Sequence, residues 1–151
     1  MPVGVDTYEY RRRLPHLIPR DAVYAVAFAT KKRERLPPGA STLVLRSCVH
    51  DHGTHCWIDA VVVMPDHVHL IFMSFGHMAP EAVIARMKGA SSYFVNRLLG
   101  RRGPLWHEES FDRIVRSDDK LYAKRDYLFN NPVRAGLVAT WEEYPWVWFT
   151  R

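Results

Sequence analysis

Short segments of alternating or continuous apolar residues dominate the first half of the chain and predict β-strands. We predict strands over 22–30 (AVYAVAFAT), 56–64 (CWIDAVVVM) and 67–73 (HVHLIFM), each rich in residues that favour a pleated surface. Only Pro65 and Asp66 separate the second strand from the third, which is the chemistry of a tight antiparallel turn. A further strand is predicted over 111–115.

Helical spacing of apolar residues takes over in two later segments. One helix is predicted to begin at Pro80 and to end at Gly100, because proline suits a first helical turn and glycine a helix end. A second is predicted over 117–131, opening on a Ser/Asp capping signal and ending before Pro132. The segment 41–51 (STLVLRSCVHD) is ambiguous, since its pattern fits a strand or a short helix.

The order of these elements predicts an α+β fold. Reading 41–51 as a helix gives strand, helix, strand, strand, helix, strand, helix, which is the ferredoxin-like order with one added C-terminal helix. We therefore expect an antiparallel sheet with helices on one face, plus the additional helix. Residues 1–151 form a single domain in this interpretation, and polar, proline-punctuated residues 1–20 form a basic extended arm.

Composition narrows the class of protein. The 151 residues carry a net charge of +5, and the pI of about 9.4 favours a polyanionic partner such as nucleic acid. The basic residues occur in short clusters, any one of which is equally well explained as solvated surface. No 18-residue apolar run or signal peptide is found, and two cysteines are too few for a disulfide scaffold, so we expect no membrane association and a cytoplasmic protein.

Two histidines interrupt the most apolar strand. His67 and His69 are two residues apart, so in a strand they project side by side from the same face. Paired imidazoles on a rigid strand form half of a metal site, and the tight turn just before them places them near a sheet end that a substrate can reach. Two core histidines satisfied by hydrogen bonds are the alternative.

A second group of possible metal ligands lies close by in the sequence. Cys48, His50, His52, His55 and Cys56 crowd into one short segment, and zinc prefers such nitrogen and sulfur ligands. Their spacing matches no zinc motif, so a histidine-bearing surface loop is the favoured interpretation.

The 117–131 helix carries a tyrosine on its polar side. A helical wheel of 3.6 residues per turn predicts one mostly apolar face: Leu121, Tyr122, Arg125, Leu128 and Phe129. Tyr127 instead shares a polar face with Lys120, Lys124 and Asn131, with Lys124 and Asn131 within one turn of it. A nearby cation favours phenolate, or binds a phosphate. A surface tyrosine is the alternative.

Together these residues resemble a known family. MPDHVHL resembles the histidine–hydrophobe–histidine (HUH) motif of single-tyrosine transposases, and FDRIVRSDDKLYAKRDYLFNNPVRAGLV resembles the catalytic-helix region of the REP-associated tyrosine transposases. RRRLPH, GPLWHEESF and EEYPWVW are also similar to that group. The resemblance covers nearly the whole chain, from about Arg11 to Trp148.

The resemblance implies a ferredoxin-like fold and metal-dependent cleavage and joining of single-stranded DNA at palindromic hairpins. His67 and His69 would bind Mg²⁺ or Mn²⁺, and Asn131 would complete the metal site where relatives often carry Gln. Tyr127 would be the nucleophile, forming a 5′-phosphotyrosine bond and releasing a 3′-hydroxyl. Asp66 stands where such proteins often carry Asn.

The basic residues gain a role in this interpretation, as contacts to single-stranded or hairpin DNA. The candidates are Arg11, Arg12, Arg13, Lys88, Arg97, Arg113, Arg116, Lys124 and Arg134. We expect a nucleoid-associated protein and consider a homodimer possible, since relatives include both monomers and dimers. Two alternatives stay open: a protein of this fold that binds hairpin DNA without cutting it, and a metal-dependent enzyme acting on a small substrate.

Overall fold

The structure, a computed structural model, describes residues 22–115 and 117–150. The predicted arm at 1–20, with Arg11, Arg12 and Arg13, lies outside the described residues, and so does Arg116. The strands are β1 (Val23–Thr30), β2 (Cys56–Val63), β3 (His67–Ser74), β4 (Trp106–Val115) and β5 (Val147–Phe149). The helices are α1 (Pro38–Val49), α2 (Pro80–Leu99) and α3 (Asp118–Arg134), with short 3-10 turns at Lys31–Arg33 and Trp141–Glu143.

One antiparallel sheet organises the described chain. Its strand order is β4-β1-β3-β2-β5, and each neighbouring pair runs antiparallel. The first four strands with α1 and α2 form the ferredoxin-like βαββαβ arrangement, which confirms the predicted fold class. The predicted hairpin joins β2 to β3 through the Pro65–Asp66 turn, and β5 extends the sheet at the β2 edge.

The two faces of the sheet support different layers. On one face Val26, Phe28, Leu70 and Phe72 pack against apolar residues of α1 and α2. On the opposite face the strands contact α3, and the shared core there includes these buried residues: Val62, Ile71, Met73, Leu121, Leu128 and Phe129. The additional helix therefore covers the face that α1 and α2 leave open.

The ambiguous segment 41–51 is helical, as the predicted element order assumed, because Ala40, Val44 and Cys48 recur at helical spacing and are all fully buried. Two other element predictions need correction. Strand β4 begins at Trp106, five residues before the predicted start, because its exposed residues hide the apolar alternation. Helix α3 continues through Pro132, which falls in the last turn, where the missing N–H removes a single helical hydrogen bond.

The predicted apolar face of α3 is correct except at one position. Leu121, Leu128 and Phe129 are buried as expected, whereas Tyr122 is 38% exposed. Tyr122 lies at the edge of the apolar stripe, and its ring stands 5.5 Å from the guanidinium carbon of Arg125. It is therefore a surface aromatic residue and not a core residue.

A buried ion pair fixes α3 to the sheet. The Nε and Nη2 atoms of Arg125 donate to the two carboxylate oxygens of Asp59, at 2.9 and 2.5 Å. The two side chains are 7% and 5% exposed. The β2–β3 register shifts between Ile58 and Ala60, so Asp59 is the extra residue of a bulge, a feature that re-aims side chains.

The C-terminal segment is tied back to β2. The hydroxyl of Tyr144 donates to the carbonyl of Val63 at 2.6 Å, in a buried environment. The backbone N–H of Thr150 donates to the carbonyl of Asp59 at 3.0 Å. These bonds hold the aromatic C-terminal segment along the β2 edge, next to α3.

Within 22–115 and 117–150, none of the helices combines the length and apolar character that a membrane crossing requires.

We expect Arg125→Met to destabilise the protein strongly, because it leaves the Asp59 carboxylate buried without its guanidinium. Breaking one side of such a pair costs about 3–5 kcal/mol in the free energy of unfolding. Urea unfolding followed by circular dichroism measures the loss. Arg46→Met, at an exposed position, is the matched control and should change stability by less than about 0.5 kcal/mol. A loss of similar size in both variants would contradict an anchoring role.

Stability should fall at alkaline pH. Burial raises the pKa of Cys48 and of Cys56 from 9.0 to about 12, and that of Tyr144 from 10.0 to about 12. Above pH 9 the unfolded chain therefore loses protons that the folded chain retains, so the free energy of unfolding decreases as pH rises towards 12. Each group contributes a slope of up to about 1.4 kcal/mol per pH unit. Urea titrations between pH 8 and 11 measure the slope.

Tyr144→Phe separates the contributions in that experiment. It should lower stability at pH 8, because a buried hydrogen bond is lost, and should flatten the slope only above pH 10. Stability that does not change between pH 8 and 11 in the unmodified protein would show that these groups titrate normally.

Candidate active site

The sheet register brings the histidine pair and small residues onto one face. His67 and His69 pair across β3–β1 with Ala29 and Ala27, so all four side chains project from the same side of the sheet. This is the face that α3 covers. The imidazole ring centroids of His67 and His69 are 4.8 Å apart, with the rings at 85°. The predicted side-by-side arrangement is thus present.

A cleft of about 150 Å³ lies between this face and α3. Alanines at alternate positions of β1 leave its floor open, and His69 lies at its side. Basic and aromatic side chains from β4 and α3 also line it: Phe111, Arg113, Lys124 and Tyr127. We call this space the His–Tyr cleft.

Asp66 holds the first histidine. Its Oδ1 lies 2.6 Å from Nδ1 of His67, and its Oδ2 accepts from Nε of Arg33 at 3.0 Å. Burial raises the pKa of Asp66, but the hydrogen bonds and charges of His67 and Arg33 outweigh that effect and the pKa is lowered overall. The ionised carboxylate accepts a hydrogen bond from the imidazole, which leaves Nε2 of His67 as the nitrogen with a lone pair.

His69 is held neutral. Its pKa is lowered from 6.5 to about 4, mainly by burial and also by the neighbouring His67 and the positive charges of Arg134, Arg33 and Lys124. A metal-binding imidazole must be neutral, so this environment leaves His69 ready to bind a cation at neutral pH. Three cationic side chains, Arg33, Lys124 and Arg134, therefore surround the site.

Tyr127 lies beside His69. The ring centroids of the two residues are 6.5 Å apart, at 88°, and the tyrosine is 59% exposed. Arg134 lies against the tyrosine: its guanidinium carbon is 3.9 Å from the ring centroid, and its Nη2 donates to the Tyr127 carbonyl at 2.8 Å. Because α3 extends past Pro132, Arg134 is still helical and can reach back over two turns. One chain alone brings His69 and Tyr127 together.

Asn131 lies one turn beyond Tyr127 on α3. Its side-chain Nδ2 is buried and has no hydrogen-bond partner among the described residues. Nδ2 is a hydrogen-bond donor and cannot bind a cation, so a metal would take this amide through its Oδ1 oxygen. Two imidazoles and an amide fit a divalent cation that takes its remaining ligands from substrate oxygens, as Mn²⁺ and Mg²⁺ do. The ligand types of His67, His69 and Asn131 therefore have the chemistry that the expected metal requires.

The structure separates the expected DNA-binding residues into two groups. Arg113, Lys124 and Arg134 lie at or beside the His–Tyr cleft. Lys88 and Arg97 belong to α2, on the opposite face of the sheet. Lys88 Nζ donates to the carbonyls of His107 and Glu108, at 3.1 and 3.4 Å, and Arg97 donates to the hydroxyl of Tyr93 at 2.9 Å.

Two residues near the cleft were missed by sequence reasoning. Arg33 belongs to a basic cluster that the sequence displays, but its pairing with Asp66 spans 33 residues and has no local signal. Phe111 is 81% exposed and lines the cleft. An exposed aromatic residue beside basic side chains is a stacking surface for a nucleic-acid base. The charged residues that flank it in β4 gave the only sequence sign of this exposure.

The histidine-bearing segment between α1 and β2 gives no zinc site. The described residues contain no cluster of three or more His, Cys, Asp or Glu side chains placed to hold a metal. His52 Nδ1 accepts from the backbone N–H of Ile58 at 2.9 Å, and His55 pairs with His77 at 2.9 Å. Cys48 and Cys56 are buried free thiols.

Known proteins are similar to this chain in sequence and in fold. The model of the family described as "Transposase IS200 like" matches residues 20–128. A Haemophilus influenzae protein named as a REP-associated tyrosine transposase is 24% identical over 102 residues. That alignment covers 61% of this chain and 58% of the relative, so it spans little more than half of the relative's length.

Two solved structures have the same fold. A REP-associated tyrosine transposase bound to a REP hairpin superposes with a TM-score of 0.67 at 17% identity, covering 89% of this chain and 81% of its own. A protein described as a transposase from Deinococcus radiodurans gives a TM-score of 0.50 at 23% identity, covering 70% and 87%.

The family match begins just before β1 and ends inside α3, so it includes the strand of the histidine pair and the part of α3 that carries Tyr127. The expected resemblance to REP-associated tyrosine transposases is confirmed by the sequence relative and by the fold. The chain belongs to the IS200-like transposase family.

Proposed function

We propose that this protein cleaves and rejoins single-stranded DNA at palindromic, REP-like hairpins through a covalent bond to Tyr127. One observation carries the proposal: an exposed tyrosine lies beside a neutral histidine in a cleft lined by cations. A nucleophile, a candidate metal ligand and phosphate-binding charge are the parts that a phosphodiester transfer needs.

Cleavage would proceed by attack of the Tyr127 phenolic oxygen on a backbone phosphorus. The Tyr–O–P bond forms as the bond from phosphorus to the 3′-oxygen breaks. The phenol gives up its proton and the departing 3′-oxygen gains one, so a 5′-phosphotyrosine and a free 3′-hydroxyl result. Rejoining is the reverse transfer, in which a 3′-hydroxyl attacks the same phosphorus and the tyrosine oxygen leaves.

Arg134 and Lys124 would stabilise the charge on this reaction path. Negative charge grows on the non-bridging phosphate oxygens during attack and on the tyrosine oxygen during rejoining. The guanidinium of Arg134 is in contact with the Tyr127 ring, and the Lys124 side chain lines the same cleft. Cations held in place before the reaction lower the barrier because they need no reorganisation.

His67, His69 and Asn131 would hold a divalent cation, Mg²⁺ or Mn²⁺. When bound, such an ion polarises the scissile phosphate and neutralises developing charge. The support lies in the ligand atoms on offer: the Nε2 nitrogen of His67, the neutral imidazole of His69, and the amide of Asn131, whose Oδ1 oxygen would be the ligand atom.

Hairpin DNA is proposed as substrate because the hairpin-bound REP-associated tyrosine transposase shares this fold. Phe111 would stack an unpaired base beside the scissile phosphate, and Arg113 would contact the backbone. A homodimer in which α3 is exchanged between protomers is not required for this chemistry, since one chain holds both His69 and Tyr127. The second candidate is a hairpin-binding protein without cleavage, favoured by the same basic cleft.

Tyr127→Phe should abolish covalent attachment while leaving DNA binding within about twofold, because it removes the nucleophilic oxygen and keeps the ring against Arg134. The measurement is a denaturing gel of protein mixed with a labelled hairpin oligonucleotide carrying a single-stranded flank, in Mn²⁺. Tyr122→Phe is the matched control on the same helix and should form the adduct normally. An adduct that survives in Tyr127→Phe but disappears in Tyr122→Phe would move the nucleophile to Tyr122.

His67→Ala tests the metal in the same assay. We expect loss of the adduct by at least about 100-fold, with the thermal midpoint of unfolding within a few degrees, since His67 is not part of the apolar core. EDTA should have the same effect on the unmodified protein. Cleavage that persists both in His67→Ala and in EDTA would remove the metal from the mechanism. Tight hairpin binding by the unmodified protein with no adduct in any metal would favour the non-cleaving candidate.

Arg113→Gln and Lys124→Gln should each weaken binding to single-stranded DNA several-fold and reduce the slope of log Kd against log salt by about 1, as expected when one phosphate contact is lost. Fluorescence anisotropy between 50 and 300 mM salt measures both effects. Arg102→Gln removes one exposed positive charge away from the cleft and serves as the control. Equal effects of all three variants would mean that net charge, and not the cleft, binds the DNA.

A further inference from the structure

The turn after β1 contains unusual backbone. Lys32 has φ 56° and ψ 21°, and Arg33 has φ 54°, so two consecutive residues with side chains occupy the left-handed region. Residues other than glycine seldom adopt this conformation, and it persists only where surrounding contacts enforce it. Such strained residues are concentrated at functional sites, which indicates that the turn of Lys32 and Arg33 contributes to one.

Hydrogen bonds fasten this turn to the turn that precedes the histidine pair. The backbone N–H of Thr30 donates to the carbonyl of Asp66 at 2.9 Å, and that of Leu36 donates to the carbonyl of Pro65 at 2.6 Å. The hydroxyl of Thr30, which is 2% exposed, lies 2.7 Å from the Glu34 carbonyl. The strained residues are thus clamped on both sides against Pro65–Asp66.

These backbone hydrogen bonds place the side chain of Arg33 next to Asp66. The guanidinium Nε donates to Oδ2 of Asp66 at 3.0 Å, while Oδ1 of the same carboxylate lies 2.6 Å from Nδ1 of His67. Each carboxylate oxygen of Asp66 therefore has its own partner, Arg33 for Oδ2 and His67 for Oδ1. A carboxylate held from one side by a guanidinium has a fixed orientation, and it passes that orientation on to the imidazole.

We infer that Arg33 and Asp66 are positioning residues that hold His67 as its Nδ1–H tautomer, with Nε2 free to bind the divalent cation. The inference rests on the proposed function for the identity of the bound ion. Asp66 selects the tautomer, because an ionised carboxylate can only accept the hydrogen bond. Arg33 acts through Asp66, and the strained turn is what places it there.

Removing a carboxylate that holds a metal-binding imidazole in this way commonly lowers metal affinity by about 10–100-fold. Among the described residues no carboxylate accepts a hydrogen bond from His69, and its neutral form depends mainly on burial. The two histidines are thus prepared differently: His67 by a hydrogen bond and His69 by desolvation.

The tautomer of His67 is measured directly by long-range ¹H–¹⁵N NMR of the imidazole, on the full chain without metal or DNA. The unmodified protein should show the Nδ1–H form as the dominant species. Asp66→Ala should shift His67 to a mixture in which Nε2–H predominates. Asp66→Asn keeps an acceptor oxygen without the charge, so it should retain the Nδ1–H form. This variant also serves as a control that shows whether the effect of Asp66→Ala is merely a loss of the fold.

Arg33→Gln and Lys32→Gln form a matched pair, since each removes one positive charge from the same turn. Arg33→Gln should leave a measurable minor population of the Nε2–H tautomer, and Lys32→Gln should leave the spectrum unchanged. An Asp66→Ala protein that is folded and retains the Nδ1–H form would overturn the inference, as would equal effects of Arg33→Gln and Lys32→Gln.

Manganese binding gives the second readout. Titration with Mn²⁺ alone, followed by electron paramagnetic resonance of the free ion, should show Kd raised 10–100-fold in Asp66→Ala and by less in Asp66→Asn. Unchanged affinity in Asp66→Ala, with an adduct still formed by the unmodified protein, would overturn the inference and leave the proposed function intact. No Mn²⁺ binding and no adduct in the unmodified protein would instead overturn the proposed function.

Discussion

The buried pair between Arg125 and Asp59 is the contact on which the placement of α3 depends. The apolar contacts of α3 with the sheet are non-directional and would tolerate a rotation or a slide of the helix. The bidentate guanidinium–carboxylate pair, in contrast, fixes one orientation of the helix on the sheet. Separating the two buried charges would carry a large free-energy cost. Tyr127 lies two residues beyond Arg125, so this pair sets the direction from which the phenol meets His69.

The same positively charged side chains lie near the histidine pair and near Tyr127. Arg33, Lys124 and Arg134 all act on His69 and, together with burial, keep its imidazole neutral. The same charges attract a phosphate, whose arrival would bring anionic oxygens next to the two imidazoles. Under the proposed function, metal and DNA would bind cooperatively, because each would reduce the electrostatic cost of binding the other. Asp66 contributes a negative charge that offsets the positive charge of Arg33.

The sequence predicted those features that depend on local periodicity. The period of two in β3 placed His67 and His69 on one face, and the period of 3.6 in the third helix placed Tyr127 on its polar side. Features that depend on distant partners had no such signal. The bulge at Asp59, its pairing with Arg125 66 residues away, and the left-handed turn at Arg33 are all set by tertiary contacts. Tyr122 was misplaced because a helical wheel does not show which residues border the apolar stripe.

The difference between the two faces of the sheet follows from the alternation of large and small side chains in β1. Large side chains, Val26 and Phe28, point towards α1 and α2 and fill that core, while Ala25 and Ala27 point towards α3. Small residues in the middle of the sheet leave a gap that α3 spans without closing. Because a well-packed core excludes ligands, a cleft beside His69 requires this local shortage of side-chain volume. The face under α1 and α2 is thus closed by large side chains, the face under α3 keeps an open cleft beside its own core, and the ion pair of α3 keeps that face assembled.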